Sequence, residues 1–475
     1  MIPETSRSSE HARAMRDAHP SARGFHGALG DLFPAAPEVP SPTWGARALS
    51  AVIQVAAVAL GAVVLLLRVP GLPPWDTIYG EDYWEFFTQA IQQPWHLFIT
   101  YNGYWQFLPR LIAQLVRYLP LADASWAFAV SGAVVAACCA LFMFHASAGH
   151  IRSAKLRALL AVALVLLPAA PMEIIDSGVN TAWYLLPALF WAALWRPRTR
   201  AGMAVVGLLA FIAAASNILS ITLAPVFALR LYGLRRPREH AVTAGWLAGC
   251  VAQVPFVFAG RASGSDARLA VHATAGQSLA FYGHDVLLPS LGWHLSWWLR
   301  SVAGINGATV IAAVMLAAIF GIILLTQVRA RAFVVTALVV GFIAAVVGIT
   351  INGHLVTQPL LRDSEPGNRY TVLPIFLIVT AVIVGVDHAL RERTRGHHRT
   401  GAVLRPALAV TALVAILAAT WVVDFRYAGM RSERSWAWGP IAAKWTHDCA
   451  LSQSGEIVEK TGAVYETLVC RNINP

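Results

Sequence analysis

Residues 48–67 read ALSAVIQVAAVALGAVVLLL, twenty residues without a charge, closed by Arg47 before and Arg68 after. A helix rises about 1.5 Å per residue, so roughly 20 apolar residues cross a hydrocarbon core. By that measure the stretch is a membrane-spanning helix, and the pattern recurs. Further apolar runs fall near 123–146, 156–171, 182–195, 201–217, 218–232, 241–260, 304–326, 332–352, 370–388 and 406–424, making eleven. The run at 182–195 is short. The stretch 201–232 carries Ser216 and Asn217 in its middle and reads as two spans joined by a tight turn. One span there would make ten and move every later loop to the other side.

Composition agrees with this reading. Of 475 residues, 57% are hydrophobic and 13% charged, against about 25% charged in soluble domains. The sequence predicts an all-α polytopic membrane protein in the lipid bilayer of the cell membrane. Residues 1–45 have no apolar signal core and read as a disordered cytoplasmic extension. Residues 46–424 form the transmembrane domain, whose first span acts as the signal anchor. Residues 425–475 form a small extracytoplasmic tail.

The basic residues distinguish eleven spans from ten. With the N-terminus inside and eleven spans, cytoplasmic segments hold 22 of the 36 Lys and Arg, the outer loops 8 and the tail 6, while 17 of the 25 acids lie outside. Ten spans would turn the basic clusters at 329–331 and 391–405 outward, against the cytoplasmic preference of Lys and Arg. The net charge of +11 is therefore assigned to cytoplasmic loops, and nucleic acid is not an expected partner. Cys138, Cys139 and Cys250 fall in spans and read as packing residues. Cys449 and Cys470, in the outer tail, read either as a disulfide of an oxidising compartment or as two thiols.

The outer segments 68–122, 261–303 and 353–369 are long or unusual for simple connectors, and such loops are often functional. The first begins with GEDYWEFF, residues 80–87. Residues 81–93 read as an interfacial helix with Tyr83, Phe86, Phe87 and Ile91 on one side. The link HLFITYNGYWQFLPR and a second amphipathic segment, 108–119, follow it, and Trp and Tyr favour the bilayer interface. Two readings stand for the acids. An acidic first turn suits the helix dipole. Alternatively, partial desolvation at the membrane lip tunes Asp82 or Glu81 as a base.

PMEIIDSGVNTAWYLLP, at 171–187, brings Glu173, Asp176, Asn180 and Trp183 with no Lys or Arg. These are either site residues or a solvated loop. His284-Asp285 has no second ligand at helical or hairpin spacing, so a divalent metal lacks support. Arg369-Tyr370 opens a late span. Arg369, like Arg110 in FLPRLI, is either a phosphate-binding fork or a snorkelling anchor.

Taken together, the Glu81-Asp82 pair after the first span, the aromatic NGYWQFLPRL, the Arg369-Tyr370 step and a cysteine-bearing outer tail resemble GT-C-type integral membrane glycosyltransferases. The resemblance implies an inverting transfer of sugar from a polyprenyl-phosphate-linked donor to an envelope glycan, lipid or protein acceptor outside. It makes Asp82 the expected base, with Glu81 as alternate or helper. Arg369, then Arg110, with Tyr370 beside them, would hold the donor phosphate. Glu173, Asp176, Asn180, Trp183, Tyr104 and His284 would meet sugar or acceptor. No DxD pair is present, and no cofactor beyond the lipid-linked donor is expected. The competing readings are a flippase for a lipid-linked glycan and a non-catalytic envelope assembly protein.

Overall fold

The structure is a computed structural model that describes residues 25–35, 43–69, 71–167, 174–262, 273–325, 328–351, 369–394, 414–415, 417–426, 435–461 and 464–473. It is dominated by helices. Among the described residues five are long and apolar enough to cross a membrane: Trp44–Leu66, Leu121–Gly149, Pro237–Ala259, Ala330–Thr350 and Arg369–Arg391. Shorter apolar helices include Thr181–Leu194, Arg200–Ser216, Ile218–Gly233 and Asn306–Ala318. The chain is thus a helical membrane protein. Residues 406–413 and 416 of the span at 406–424, and the loop 353–368, lie outside the described residues.

The helices are α1 (Phe25–Leu32), α2 (Trp44–Leu66), α3 (Thr88–Gln92), α4 (Phe107–Val116), α5 (Ala124–Ala146), α6 (Ala154–Val165), α7 (Thr181–Leu194), α8 (Arg200–Ser216), α9 (Ala224–Gly233), α10 (Ala241–Ala262), α11 (Ala275–Phe281), α12 (Trp293–Leu325), α13 (Val328–Ile351), α14 (Val372–Thr394) and α15 (Trp438–Leu451). The short run at 182–195 is explained by α7, in which all fourteen residues are buried. It is the inner helix, packed by α5, α8 and α14. The outermost helix is α2, with Val52, Val55 and Leu60 at 65%, 70% and 66% exposure. Such a face needs lipid, because exposed apolar surface of that extent is unfavourable in water.

The break at Asn217 is a helix end. The Asn217 N–H closes α8 on the Ala213 carbonyl at 3.0 Å, and its Oδ1 accepts from Leu219 N at 3.0 Å to open a 3-10 turn, Ile218–Leu223. Small residues let α8 and α10 pack backbone to backbone. A Cβ on Gly245 would lie 2.0 Å from the Gly207 carbonyl oxygen, the close approach by which membrane helices associate without a hydrophobic driving force.

The stretch 1–45, expected to be disordered, contains an ordered piece. Leu29, Leu32 and Phe33 of α1 and its end are buried at 4%, 2% and 1% exposure, and α1 packs on α13 and α9. Its carbonyls are held by His150 Nε2 on Leu32 at 3.0 Å and by Arg196 Nη1 on Phe33 at 3.1 Å. The apolar triplet covers an otherwise open end of the bundle, which a composition-based reading of the whole segment does not resolve.

At that same end Asp387 accepts from Arg152 N at 3.2 Å and Ser153 N at 3.1 Å and pairs with Arg391, whose Nη2 donates to the His150 carbonyl at 2.6 Å. Residues 71–122 and the tail gather at the other end. Strand β1 (Thr77–Tyr79) pairs antiparallel with β4 (Ser435–Ala437), and Trp438 Nε1 donates to the Leu121 carbonyl at 2.6 Å. Strands β2 (Thr100–Tyr101) and β3 (Tyr104–Trp105) form a small hairpin between β1 and β4 in the chain. The tail continues through α15 into a hairpin of β5 (Glu456–Thr461) and β6 (Val464–Val469), with Cys449 and Cys470 joined as a disulfide. It is a small α/β unit and not a plain polar extension.

The aromatic side expected on the bilayer surface is a protein core instead. Tyr83, Phe86, Phe87 and Ile91 are 5%, 1%, 2% and 1% exposed, and Phe87 meets Trp438 and Trp445 at 5.7 and 6.4 Å. The tail supplies the partner surface, and amphipathic periodicity alone does not distinguish lipid from a distant segment of the same chain. A Cβ on Gly80 would lie 2.5 Å from Trp84 Cη2 and 2.7 Å from Trp436 Cζ3. Gly80→Ala is therefore expected to cost about 1–3 kcal/mol by overpacking. It should appear as a lower thermal midpoint and faster proteolysis of residues 435–473, with unchanged behaviour at the opposite end of the bundle.

Candidate functional site

The carboxylates of GEDYWEFF sit on a helix whose turn Asp82–Phe87 is π-wound. Single π turns recur at functional sites because the extra residue re-aims neighbouring side chains. Here Glu81 and Asp82 reach different partners. Asp82 is fully buried and accepts from two main-chain amides, Gly178 N at 3.1 Å and Val179 N at 2.7 Å. These amides immediately precede α7, where Asn180 is the N-cap. The favourable field of a helix N-terminus reaches the carboxylate there. Asp82 thus clamps the loop 174–180 onto the segment 71–122.

Glu81, 8% exposed, faces Arg369 across 288 positions of sequence. Arg369 Nη1 donates to Oε2 at 3.0 Å and Nη2 to Oε1 at 3.2 Å, the parallel two-bond fork that a guanidinium makes with a carboxylate. The hairpin of β2 and β3 completes the wall. Its turn is Asn102-Gly103, with φ of 52° and 80°. This geometry places Tyr101 opposite Tyr104. Burial, then the negative charge of Glu81, pushes the Tyr101 phenol well above its ordinary range, and its hydroxyl bonds Glu81. Burial, then Tyr370, does the same for Tyr104. Both phenols stay protonated at neutral pH and serve as donors. Tyr370 packs edge-on against Trp183 with ring centroids 5.0 Å apart.

Glu81, Arg369, Tyr104, Tyr370 and Trp183 are therefore brought together, with Asp82 and Asn180 behind them. Tyr101 joins the group although sequence reasoning passed over it. Its signal was present in the Asn-Gly dipeptide between Tyr101 and Tyr104, a two-residue hairpin turn that aligns the residues flanking it.

Other candidates go elsewhere. Arg110 Nη1 donates to the Glu85 carbonyl at 3.1 Å and to Gln89 Oε1 at 2.6 Å, and its guanidinium lies 4.5 Å from the Phe86 ring centre. Burial lowers it to about 10. It ties α4 to the π-wound helix. Asp176 is 1% exposed, has φ of 52°, and shares an electrostatic neighbourhood with Arg68 and Tyr184. Asn180 Nδ2 donates to Ser177 Oγ at 3.2 Å, inside the loop that Asp82 holds. Glu173 lies outside the described residues.

His284 belongs to a second group, where its ring meets Thr309 Oγ1 at 3.0 Å and its carbonyl accepts from Arg300. Among the described residues no three His, Cys, Asp or Glu side chains gather as a metal site would require.

Beside His284, Asp285 lies 3.6 Å from Arg300, and burial raises its carboxyl to about 6 despite that partner. The unfolded chain loses this proton near the ordinary value of 3.8, so between the two values the folded state binds more protons. Stability from this group is fully present below that ordinary value and is lost as pH rises toward about 6. The thermal midpoint of Asp285→Asn relative to wild type is expected to rise over that window and then level off. A flat difference would show that Asp285 titrates normally.

The site is a charged and aromatic cluster at one end of a helical membrane protein. Comparison with protein-family models, curated proteins and solved structures finds no match for this chain.

Proposed function

We propose that the protein is a membrane glycosyltransferase that moves a sugar from a polyprenyl-phosphate-linked donor to an acceptor on the extracytoplasmic side. The observation that carries this reading is the Glu81–Arg369 fork, joining an acid and a base 288 residues apart at one end of the spanning helices. Eleven crossings, with the N-terminus cytoplasmic and the C-terminus outside, complete the reading. They put every segment at this end of the bundle on the outer side and the Asp387–Arg391 cluster on the inner.

In the proposed reaction an acceptor hydroxyl gives its proton to the Glu81 carboxylate. The acceptor oxygen attacks the anomeric carbon, the bond from that carbon to the phosphate oxygen breaks, and the electron pair leaves on polyprenyl phosphate. The anomeric configuration inverts. A guanidinium has five N–H donors, so Arg369 holds the leaving phosphate while keeping one bond to Glu81. Tyr101 and Tyr104 donate to the sugar or to Glu81, and Trp183 and Tyr370 offer ring faces and edges to the sugar.

Asp82 is assigned a positioning role, because it is fully buried and fixed to the main chain of Gly178 and Val179, whereas Glu81 is bonded by side chains that can turn to substrate. Glu81, which the sequence reading made the alternate or helper, takes the role of base.

Sealed proteoliposomes distinguish transfer from transport. Our reading predicts free polyprenyl phosphate when acceptor is present. Intact glycolipid appearing in the opposite leaflet without release of lipid phosphate would overturn it.

A further inference from the structure

The opposite end of α7 carries a second feature that the proposed reaction does not use. Fourteen residues of helix separate Asn180 from Trp195, about 21 Å at the usual rise. Where α7 gives way to α8 there is a cleft of about 560 Å³, lined by Arg196, Arg198, Arg236 and Arg238 with Glu239, Met203 and Pro237. The arginines come from two separate connections, 195–199 between α7 and α8 and 234–240 between α9 and α10, so folding is what concentrates them.

The lone carboxylate in this lining is already engaged. Arg196 Nε and Nη2 donate to Glu239 Oε1 at 2.9 and 2.5 Å. The fully buried Arg230 secures the wall from behind, donating to the Glu239 carbonyl at 3.0 and 2.7 Å and to the Ala193 carbonyl at 2.5 Å. The cleft therefore presents a rigid floor, a surplus of guanidinium charge and an open mouth. Guanidinium forks match the paired oxygens of a phosphate group.

The surroundings indicate what would bring the phosphate. α8 starts at the cleft, and one to two turns along it Val205 and Leu208 are 57% and 59% exposed. Leu231 and Tyr232 of α9 are 50% and 59% exposed. An anion seated among the arginines thus lies beside apolar helix surface suited to acyl chains. A soluble phosphate would gain nothing from that surface, whereas a phospholipid uses both parts.

We propose that this cleft binds the phosphate headgroup of an anionic membrane lipid. The site depends on the membrane setting of the helices and not on glycosyl transfer, so it stands or falls independently of the Glu81–Arg369 reading.

The test uses full-length protein in neutral detergent, titrated with phosphatidylglycerol, phosphatidylcholine or inorganic phosphate, with retained lipid counted by native mass spectrometry. Wild type should retain phosphatidylglycerol in preference to phosphatidylcholine, and the preference should weaken as salt is raised. The variant Arg198→Gln, Arg236→Gln and Arg238→Gln should lose at least about tenfold in phosphatidylglycerol affinity. A charge-matched variant at the same end of the bundle, Arg152→Gln, Lys155→Gln and Arg157→Gln, should keep it.

Equal losses in the two variants would mean diffuse surface charge and overturn the site. Undiminished binding by the first variant, or wild-type binding indifferent to salt, would overturn it as well. Inorganic phosphate binding as tightly as the lipid would overturn the assignment to a lipid.

Discussion

Glu81→Gln is expected to lower transfer by about 10²–10⁴-fold, the range for removing a positioned general base. The substitution keeps the side-chain shape and one oxygen for Arg369, but its NH2 group faces the other guanidinium N–H. The fold should therefore survive with a lower thermal midpoint, at a cost of about 1–3 kcal/mol of stability. The loss should fall on kcat, because the carboxylate acts on the acceptor proton in the transition state and contributes little to donor binding.

Asp82→Asn separates the two carboxylates. An asparagine offers one acceptor oxygen where the loop presents the Gly178 and Val179 amides at 3.1 and 2.7 Å. Its NH2 group would point at an N–H donor, and an unsatisfied buried group costs about 1–3 kcal/mol. Both substitutions should therefore cost stability, and kcat of the folded protein separates them: Glu81→Gln should lose far more than Asp82→Asn. The reverse pattern would return the base to Asp82, as the sequence reading had it.

Arg369 gives the second large effect. Removing a group that stabilises developing charge on a leaving oxygen typically costs about 10²–10³-fold in kcat. Arg369→Lys keeps the charge but loses the planar fork that meets both Glu81 oxygens at 3.0 and 3.2 Å. It should recover only a small part of the activity. Arg369→Gln should lose the full amount and also cost stability, because Glu81, at 8% exposure, would lose its cationic partner. Steady-state kcat and KM for the two variants, beside their melting curves, separate the two contributions. Unchanged kcat in Arg369→Lys would mean that Arg369 serves the fold and does not touch the phosphate.

Much of the architecture was legible because it follows from local chemistry. The 48–67 run, the Ser216-Asn217 break and the tail cysteines each correspond to a helix, a cap or a bond in the structure. Other features depend on partners that periodicity does not name. The aromatic face of Tyr83, Phe86 and Phe87 looks the same whether lipid or the Trp438–Trp445 surface covers it. Leu29, Leu32 and Phe33 are too few to stand out from a polar, Pro-rich extension, yet they close one end of the bundle. The π turn at Asp82–Phe87 leaves no mark in residue type.

The candidate site shows the same division. Several of its members stand out in the sequence as polar and aromatic residue types at a membrane boundary, but their pairing was not readable. Glu81 and Asp82 are chemically near-equivalent neighbours. Only the packing of α7 and the loop before it against the segment 71–122 gives Asp82 to the amides and Glu81 to Arg369. Arg110 and Arg369 were alike as arginines near a span mouth, and the fold sends the first to Glu85 and Gln89 and the second to Glu81.

The most direct measurement is a single turnover with a polyprenyl-phosphate sugar labelled separately in sugar and phosphate, given to purified wild type and Glu81→Gln with an envelope acceptor fraction. The account predicts that wild type releases one polyprenyl phosphate for each sugar joined to acceptor. Glu81→Gln should bind the donor and do neither. Sugar transfer at the wild-type rate by Glu81→Gln, or wild-type protein that leaves both labels on one intact lipid, would contradict it.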